Sequence, residues 1–318
     1  MRGMQAKLRQ PGLSSARFRS SCAAPKCLPQ ITTWDSLGAS ALALSSLVLE
    51  SKNLLAITGA GVSTESGIPD YRSPGRPAYR PLQHGEFVKM ESTRRRYWAR
   101  SMIGFGQVGK ALPNKAHRSL ALLEQMGKMS HLITQNVDRL HQKAGQRNIL
   151  ELHGTIHEVE CLDCKHQFDR AHMQALLLTL NEEWMKRVAE LSEARPDGDV
   201  ELPSDVYSSF TIPPCDRCGS QMLKPRVTFH GGQIPPPVTE ASLQLAQNCD
   251  GLLVVGSTVS TFSAYRLVRE AASRHARVGI INYGPTRADE LAAFKIEGSV
   301  GWVLSSLLQR LDGHSTLA

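Results

Sequence analysis

Two Cys-x-x-Cys pairs constrain the fold of this chain more than any other feature of its sequence. The first pair is Cys161 and Cys164, and the second is Cys215 and Cys218. A gap of two residues lets both thiolates of a tight turn face one tetrahedral ion, and two such turns complete a four-cysteine site with no position open for water. We therefore expect one zinc ion in a structural role, on which the folding of a small module depends.

Redox-active pairs and disulfides are the alternative interpretations of these cysteines. A basic chain of 318 residues with only seven cysteines and no recognisable secretory signal is unlike the small disulfide-rich scaffolds of secreted proteins. Zinc is therefore the favoured interpretation. Fifty residues separate the two pairs, and their middle, 181–191, has an amphipathic pattern, while 195–199 has the composition of an exposed turn. We predict a helix and a loop packed on the zinc module.

The excess positive charge of the chain lies near its beginning. The formal net charge is +8, and residues 1–34 contain no acid and six basic residues, Arg2, Lys7, Arg9, Arg17, Arg19 and Lys26. Without these six charges the net charge is +2, so the charge does not point to a nucleic-acid partner. An arginine-rich leader that contains serines but no acids and no apolar core is typical of a mitochondrial transit peptide, with a disordered basic tail as the alternative. We predict a transit peptide over residues 1–34 and a location in the mitochondrial matrix.

Several short apolar runs end in polar or glycine residues, as parallel strands do at a ligand-binding edge. The first run, 54–57, follows a helical apolar pattern over 36–51 and leads into the turn Thr58-Gly59-Ala60-Gly61. Further runs are 131–134, 251–256 and 278–282. Because the carboxyl ends of parallel strands line a crevice in doubly wound folds, we predict an α/β, Rossmann-like parallel sheet with a small zinc-binding module inserted.

The glycine turn after the first run has two interpretations. In dinucleotide-binding folds such a turn brings backbone amides against a pyrophosphate, with the amino end of a helix behind it. In many other proteins a glycine turn only closes the connection between a strand and a helix. In both cases we expect Ser63 and Thr64 to cap a following helix.

The polar residues after the later strands also have two interpretations each. Ser257 and Thr258 fit either the cap of a helix or a contact with phosphate or ribose. Asn282 follows the last apolar run, where dinucleotide folds place a polar side chain that holds ribose hydroxyls. The alternative for Asn282 is a turn with Gly284 and Pro285.

An ordered set of motifs resembles that of the sirtuins. The motifs are 59–72 (GAGVSTESGIPDYR), 134–138 (TQNVD), 151–154 (ELHG), the four cysteines and 256–258 (GST). Any one motif could arise by chance, but the ordered set covers about residues 36–310. The interval between the cysteine pairs, which contains 196–200 (PDGDV), and the segment 284–287 (GPTR) are most similar to the class II mitochondrial sirtuins of the sirtuin-4 type.

The resemblance implies NAD-dependent removal of acyl groups from protein lysine, of deacylase or lipoamidase type, with nicotinamide and an O-acyl-ADP-ribose as products. It also implies a protein ADP-ribosyltransferase activity. In sirtuins the acyl oxygen attacks the nicotinamide ribose as nicotinamide leaves, and a histidine then acts as the base on a ribose hydroxyl. His153 matches that histidine, and its near-neutral reference pKa suits proton abstraction. A buried histidine satisfied by the backbone is the alternative role.

The resemblance also implies which residues hold NAD. The run 135–138 matches the polar segment that binds the nicotinamide ribose, so Asn136 and Asp138 join His153 as expected catalytic residues. In the loop 70–72, the arginine would face phosphate and the tyrosine would shield the reactive centre from water. The expected NAD-binding positions are Gly59, Ala60, Gly61, Thr64, Pro69, Asp70, Tyr71, Arg72, Gln135, Asn136, Val137, Asp138, Gly256, Ser257, Thr258, Asn282, Tyr283, Gly284 and Val300.

Two segments are expected to contact the acylated substrate. Tyr97 and Arg100 lie on one face if their segment is helical, and related sirtuins that remove acidic acyl groups have a tyrosine and an arginine at this spacing. We hypothesise that the pair recognises a carboxylate-bearing acyl chain, and a solvated basic helix that includes 94–96 is the alternative. The remaining expected substrate residues, in the segment that lines the acyl-lysine channel of sirtuins, are Val227, Phe229 and His230.

This second segment departs from the family. Sirtuins have Phe-Gly-acid after the second cysteine pair, whereas this chain has the sequence 229–232 (FHGG), with a histidine at an aromatic position and Gly232 at the position of the acid. The departure keeps two alternative functions open. One is a catalytically weak NAD-binding regulator of mitochondrial enzymes, and the other is an NAD hydrolase or ADP-ribosyltransferase without deacylation.

The resemblance places a catalytic domain at residues 35–318. Its large NAD-binding part is expected over about 35–78, 113–157 and 222–318, and its small part, with the zinc module, over about 79–112 and 158–221. The expected partners are acylated-lysine mitochondrial proteins. No run approaches the roughly eighteen apolar residues of a membrane span, so we expect no membrane partner and no nucleic acid. We expect a monomer or a weak oligomer.

Overall fold

A six-stranded sheet and a smaller three-stranded sheet organise the protein. The computed structural model describes residues 34–70, 81–192 and 204–315. The strands of this part of the chain are β1 (Leu54–Thr58), β2 (His131–Thr134), β3 (Ile149–Glu151), β4 (Gly154–Cys161), β5 (Gln167–Asp169), β6 (Leu223–Val227), β7 (Gly251–Val255), β8 (Arg277–Ile281) and β9 (Phe294–Ile296).

Helices connect the strands and cover the sheets. The helices of the described residues are α1 (Ala39–Glu50), α2 (His84–Lys89), α3 (Glu91–Lys110), α4 (Lys115–Gln125), α5 (Leu140–Lys143), α6 (Arg170–Leu180), α7 (Glu182–Ser192), α8 (Ser204–Ser208), α9 (Pro236–Asn248), α10 (Phe262–Ser273) and α11 (Val300–Ser315). None of them is long and apolar enough to cross a bilayer.

The large sheet has the strand order of a Rossmann fold. The order is β3-β2-β1-β7-β8-β9, and each neighbouring pair is parallel. The chain builds outward from β1 to β2 and β3 on one side, and then to β7, β8 and β9 on the other. The predicted doubly wound architecture is confirmed, and its switch point lies between the carboxyl ends of β1 and β7.

Alternating residues of the central strands explain why the predicted runs are apolar throughout. Every residue of β1 and β7 is buried. Leu54 and Ala56 pack into a core with α1, α4 and α11, whereas Leu55 and Ile57 pack into a core with α9 and α10. A strand with helices on both faces needs no polar side, so periodicity of two is absent from its sequence.

The smaller sheet belongs to a module that also contains α3, α6, α7 and α8. Its order is β5-β4-β6, with antiparallel pairs, and its core is formed by side chains such as Trp98, Met173, Trp184 and Phe210. The predicted amphipathic helix over 181–191 corresponds to α7. The predicted turn after it and residues 1–33 of the predicted leader lie outside the described residues. Our division into a large and a small part stays a prediction, since β4 runs across its boundary at residue 157.

Candidate active site

The glycine turn after β1 packs backbone against backbone on the turn after β7. Gly61 N donates to the carbonyl oxygen of Gly256 at 2.9 Å. A Cβ at Gly59 would lie 2.8 Å from Ser257 Cβ, and a Cβ at Gly256, which has a φ of 57°, would lie 2.6 Å from Val62 N. Only glycines allow this approach, which brings the two turns together at the switch point of the sheet.

The helix that we expected behind the glycine turn is absent. Two short 3-10 turns, Ala60–Val62 and Thr64–Ser66, follow β1 instead. Ser63 has αR backbone angles and Gly67 a φ of 82°, so the chain turns away before an α-helix can propagate. The expected caps were wrong, because the Thr64 hydroxyl donates to its own turn at Gly61 O, at 3.0 Å, and the Ser63 hydroxyl is used elsewhere.

The Ser63 side chain forms hydrogen bonds with two residues that lie far from it in the sequence. Its Oγ donates to Asp138 Oδ2 at 2.7 Å and accepts a hydrogen bond from Asn136 Nδ2 at 3.0 Å. The second oxygen of Asp138 accepts from Leu140 N at 3.0 Å. Asp138 is 6% exposed, and these hydrogen bonds satisfy its buried carboxylate.

Gln135 and Asn136 tie the end of β2 to the glycine turns. Gln135 Nε2 donates to Thr58 O at 3.1 Å and to Ser257 Oγ at 2.7 Å. Asn136 Nδ2 also donates to Gly59 O at 3.0 Å. The predicted polar run therefore lies at the switch point, as expected for residues on the carboxyl edge of a parallel sheet.

Two buried histidines that sequence reasoning missed lie beneath this edge. The rings of His117 and His141 are edge to face, with centroids 4.7 Å apart. His117 contacts Asn114 Oδ1 through Nδ1 at 3.0 Å, and His141 contacts Thr58 Oγ1 through Nε2 at 3.0 Å. Burial lowers the pKa of His117 to about 4, against weaker attraction from acidic neighbours, and lowers the pKa of His141 well below its usual value.

His153 lies between β3 and β4 with both ring nitrogens engaged. Nδ1 is 3.2 Å from Gln135 O, and Nε2 is 2.9 Å from Ser263 Oγ. A carbonyl only accepts hydrogen bonds, so Nδ1 carries the proton and Nε2 is the unprotonated nitrogen, which accepts a hydrogen bond. Burial lowers the pKa of His153; the Gln135 carbonyl opposes this shift and His230 adds to it. Ser263, a further residue missed from the sequence, donates to Nε2.

The predicted substrate segment is hydrogen-bonded to the backbone of His153. Thr228 N donates to His153 O at 2.9 Å, and His230 O accepts from the backbone N of His84 at 2.8 Å. The centroid of the Phe229 ring lies 5.4 Å from the centroid of the Tyr97 ring. The structure therefore brings the segment after β6 together with residues on α2 and α3 in one wall beside the histidine.

The Tyr97 and Arg100 segment is helical, as the hypothesis for the acyl chain requires. Both residues lie on α3. Tyr97 is half-buried against Phe229 and Phe87, whereas Arg100 is exposed. The structure thus places the phenol on the wall and the guanidinium at the surface of the same helix.

The remaining cofactor positions have mixed surroundings. Asn282 Nδ2 donates to the carbonyls of Tyr283 and Gly284, at 2.6 and 3.3 Å, which is the contact expected of the turn alternative. Ser257 Oγ accepts from Val259 N at 3.1 Å and does not cap α10, which begins at Phe262. Thr258 is half-buried.

Other positions lie at the ends of elements or outside the described residues. Val300 begins α11 and is 8% exposed. Pro69 and Asp70 end the first described segment, with Pro69 exposed and Asp70 half-buried, and Val137 is half-buried in the polar run. Tyr71 and Arg72 lie outside the described residues, so their predicted contacts stay predictions.

The four predicted metal ligands form one cluster. All four Sγ atoms lie within 4.8 Å of one another, with Cys161 Sγ 3.6 Å from Cys218 Sγ and Cys164 Sγ 3.7 Å from Cys215 Sγ. Zinc–sulfur bonds of about 2.3 Å give a tetrahedron whose edges are about 3.8 Å. A disulfide would need about 2.05 Å. The spacing fits four thiolates around a structural zinc ion, with no position open for catalysis.

Comparisons with known proteins agree with this geometry. A profile of the Sir2 family matches residues 59–263. The chain is 44% identical over 277 residues to the NAD-dependent protein deacylase Sirt4 of Drosophila melanogaster, covering 86% of this chain and 88% of that protein. It is 44% identical over 266 residues to the mitochondrial NAD-dependent protein lipoamidase sirtuin-4 of Bos taurus, covering 82% and 83% of the two chains.

Solved structures show the same fold. A Sir2 complex with a p53 peptide and NAD+ covers 84% of this chain and 97% of its own, with a TM-score of 0.68 and 27% identity. The ADP-ribose complex of a histidine-to-asparagine mutant of a Sir2 homologue covers 87% and 98%, with a TM-score of 0.69 and 30% identity. With this fold, a zinc-type cysteine cluster and a family match over most of its length, the chain belongs to the Sir2 family, the sirtuins.

Proposed function

We infer that this protein is an NAD-dependent protein-lysine deacylase, of deacylase or lipoamidase type, that releases nicotinamide and an O-acyl-ADP-ribose. The observation that carries the mechanism is His153, whose Nδ1 donates to a carbonyl and whose unprotonated Nε2 accepts a hydrogen bond from the Ser263 hydroxyl. The family and its named deacylase and lipoamidase relatives support the reaction.

The crevice fits NAD. The glycines at its floor let the turns after β1 and β7 pack backbone against backbone, and polar side chains that follow β2 and β7 lie beside them. Residues 59–61, 135–138 and 256–258 would hold the cofactor. When bound, NAD supplies the ribose carbon that the acyl oxygen attacks and the nicotinamide leaving group.

His153 is arranged as a general base. The Gln135 carbonyl orients the ring and fixes the tautomer, so Nε2 is the atom that takes a proton. Because burial lowers the pKa of His153, the ring is neutral at pH 7 and becomes protonated only in more acidic solution. We expect activity to persist through neutral pH and to fall on the acidic side of about pH 6.5, the ordinary pKa of histidine.

Asn136 and Asp138 act through a rigid arrangement. The Ser63 hydroxyl links the two side chains, and Asn136 is also fastened to Gly59 O. A polar group held by several hydrogen bonds loses little freedom when substrate binds, which lowers the cost of orienting the reacting groups. We propose that the pair orders the nicotinamide ribose.

The wall beside His153 is proposed to contact the acyl chain. Phe229 and Tyr97 give it an apolar, aromatic surface, and Arg100 lies one helical turn from Tyr97. An exposed arginine contacts a carboxylate only at the outer end of a bound chain. We therefore propose that a carboxylate-bearing acyl group reaches from this wall toward Arg100.

The natural substrates are proposed to be acylated-lysine proteins of the mitochondrial matrix, bound by a monomer or a weak oligomer. Relatives named as mitochondrial sirtuin-4 support the mitochondrion. The basic, acid-free residues 1–34 support import into it. The matrix itself is the compartment that a transit peptide alone would reach.

Nicotinamide release tests the proposal. The chain without residues 1–34 would be given NAD and lysine peptides with acetyl, lipoyl, biotinyl or glutaryl-type groups. We expect acyl-dependent release that falls by about a hundredfold or more in His153→Ala, because a general base contributes roughly 10²–10⁴. Arg100→Ala should lose more activity on glutaryl-type than on acetyl peptides.

His275→Asn is the matched control, since His275 is exposed, has a φ of 67° that asparagine tolerates, and follows α10 away from the crevice. Measurable NAD binding without release would instead favour the regulator. Release that does not depend on an acyl peptide would favour the NAD hydrolase or ADP-ribosyltransferase. Equal losses on acetyl and glutaryl-type peptides would rule out recognition by Arg100.

A further inference from the structure

Lys224 places an ammonium group against the wall of the proposed acyl channel. Its Nζ donates to the carbonyl oxygens of Val227 and of Pro225, the latter at 3.1 Å. Nζ also lies 4.5 Å from the centroid of the Phe229 ring. Val227 and Phe229 are both expected substrate residues, so a single cation contacts the backbone and an aromatic ring of the same wall.

The Phe229 ring is in contact with two aromatic rings and one cation. It is 9% exposed and packs on Tyr97 and on Phe87, with centroids 5.4 and 5.1 Å away. The ammonium of Lys224 adds a cation–π contact, a type of interaction that strengthens when the cation is removed from water. Loss of this charge would remove the cation–π contact and leave the ring to its apolar packing, which includes the two aromatic neighbours.

No ion pair fixes the charge of Lys224. Glu160 is its register partner on β4, but the described residues place no carboxylate within ion-pairing distance of Nζ, and Glu160 instead lies 3.9 Å from Lys165. Burial lowers the pKa of Lys224 to about 8, against the attraction of Glu160. The amine is therefore charged at pH 7 and loses its proton as the pH rises through about 8.

Other titratable or charged groups lie on the elements around Lys224. Arg226, on the same strand, pairs with Glu158 of β4. His230 follows Phe229 and is exposed. Tyr97, from α3, meets Phe229 through its ring.

We propose that Lys224 is a positioning residue that shapes the acyl channel while its amine is charged and releases the channel wall when it is neutral. This inference rests on the proposed deacylase function. The charged amine holds the Val227 carbonyl and the Phe229 ring in one arrangement. The neutral amine keeps two weaker donors and loses its attraction for the ring. Acyl-chain binding thus becomes sensitive to alkaline pH at a residue outside the expected NAD-binding positions.

Binding of a fluorescent acyl-lysine peptide at pH 7 and pH 9, without NAD, tests the proposal in the full catalytic domain. In the wild type we expect the dissociation constant to rise about tenfold between the two pH values, the equivalent of one lost charge-assisted hydrogen bond. Lys224→Arg keeps its charge and should bind equally at both. Lys224→Met should bind weakly at both, and KM for the peptide in nicotinamide release should follow the same order.

Lys186→Met is the control, because Lys186 is an exposed lysine of α7 that forms ion pairs with the neighbouring Glu182 and Glu183. Urea unfolding at pH 7 distinguishes the proposed role of Lys224 from a purely structural one. A structural role would lower the free energy of unfolding without changing the pH dependence of peptide binding. Equal pH dependence in the wild type and Lys224→Arg, or wild-type affinity of Lys224→Met at pH 7, would overturn the inference and leave the proposed function intact. A wild-type protein that binds no acyl peptide would overturn both.

Discussion

The crevice and the zinc module reach a fixed geometry by different routes. At the crevice, the turns after β1 and β7 touch through their backbones, and a single Cβ would collide. In the zinc module, the backbone beside Cys218 leaves room, and four thiolates at the edge of a side-chain core set the geometry. The crevice is therefore sensitive to added atoms, and the module to the loss of its metal.

The difference is visible in two glycines. Gly256 and Gly219 both have positive φ, 57° and 75°. A Cβ at Gly256 would meet Val62 N at 2.6 Å, whereas a Cβ at Gly219, beside Cys218, would have nothing within 4 Å. The backbone conformation asks for glycine in both places, but only the crevice also requires the space.

Metal removal should give the largest effect and should be confined at first to the module. Structural zinc contributes on the order of 10 kcal/mol to the folding of small zinc modules. We expect Cys215→Ser, or a strong chelator, to remove the ion and to expose Trp98 and Trp184, as measured by metal content and tryptophan fluorescence. Cys249→Ser is the control, because that buried thiol lies outside the four-cysteine cluster and donates to Ala246 O. Unchanged fluorescence in the metal-free protein would show that the side-chain core holds the module alone.

The glycine pair should give the next largest effect. Gly219→Ala should cost about 1 kcal/mol of unfolding free energy, from the left-handed backbone alone. Gly256→Ala should cost about 3 kcal/mol, because a collision adds to the same strain, and should also abolish NAD binding. Urea unfolding and calorimetric titration with NAD measure both. Equal losses of unfolding free energy in the two variants would mean that the backbone of the crevice adjusts to a Cβ as readily as the backbone of the module.

Acid should lower the free energy of unfolding by a smaller amount, through the buried histidines beneath the crevice. The folded-state pKa of His117 is about 4, below its value of about 6.5 in the unfolded chain, so the unfolded state binds more protons between these pH values. Stability is therefore lost as pH falls from about 6.5 toward 4, by about 2 kcal/mol at pH 5 for His117. Urea unfolding at pH 7.5 and 5 should show a shallower loss in His117→Gln, which keeps the same zinc ligands. An identical slope would assign the loss to other groups.

The sequence predicted those features of the fold and the site that a local pattern of residues determines. The apolar runs 54–57 and 251–256 predicted strands because burial on both faces demands continuous apolar side chains. The cysteine spacing predicted the cluster because two knuckles carry their own geometry. Ser63 was misread as a helix cap because its partner, Asp138, lies 75 residues away. Local patterns contain no record of such a pairing.

The buried histidines were missed for the same reason. Nothing near His117 or His141 marks the 4.7 Å contact that the packing of α4 against α5 creates. Lys224 likewise has an ordinary sequence environment, and its position against Phe229 follows from the path of the chain after β6. A resemblance to a family can name matching positions, but contacts of this kind require the fold.

The placement of the cysteines also bears on how this protein can diversify. Cys164 and Cys215 lie on either side of α6, α7 and α8, and their sulfur atoms are only 3.7 Å apart. The cost of closing a flexible segment rises by only about 0.6 kcal/mol for each doubling of its length. Insertions and deletions that leave the core side chains of α6, α7 and α8 in place can therefore accumulate at little thermodynamic cost, and new docking surfaces can arise there while the distance between crevice and metal stays the same.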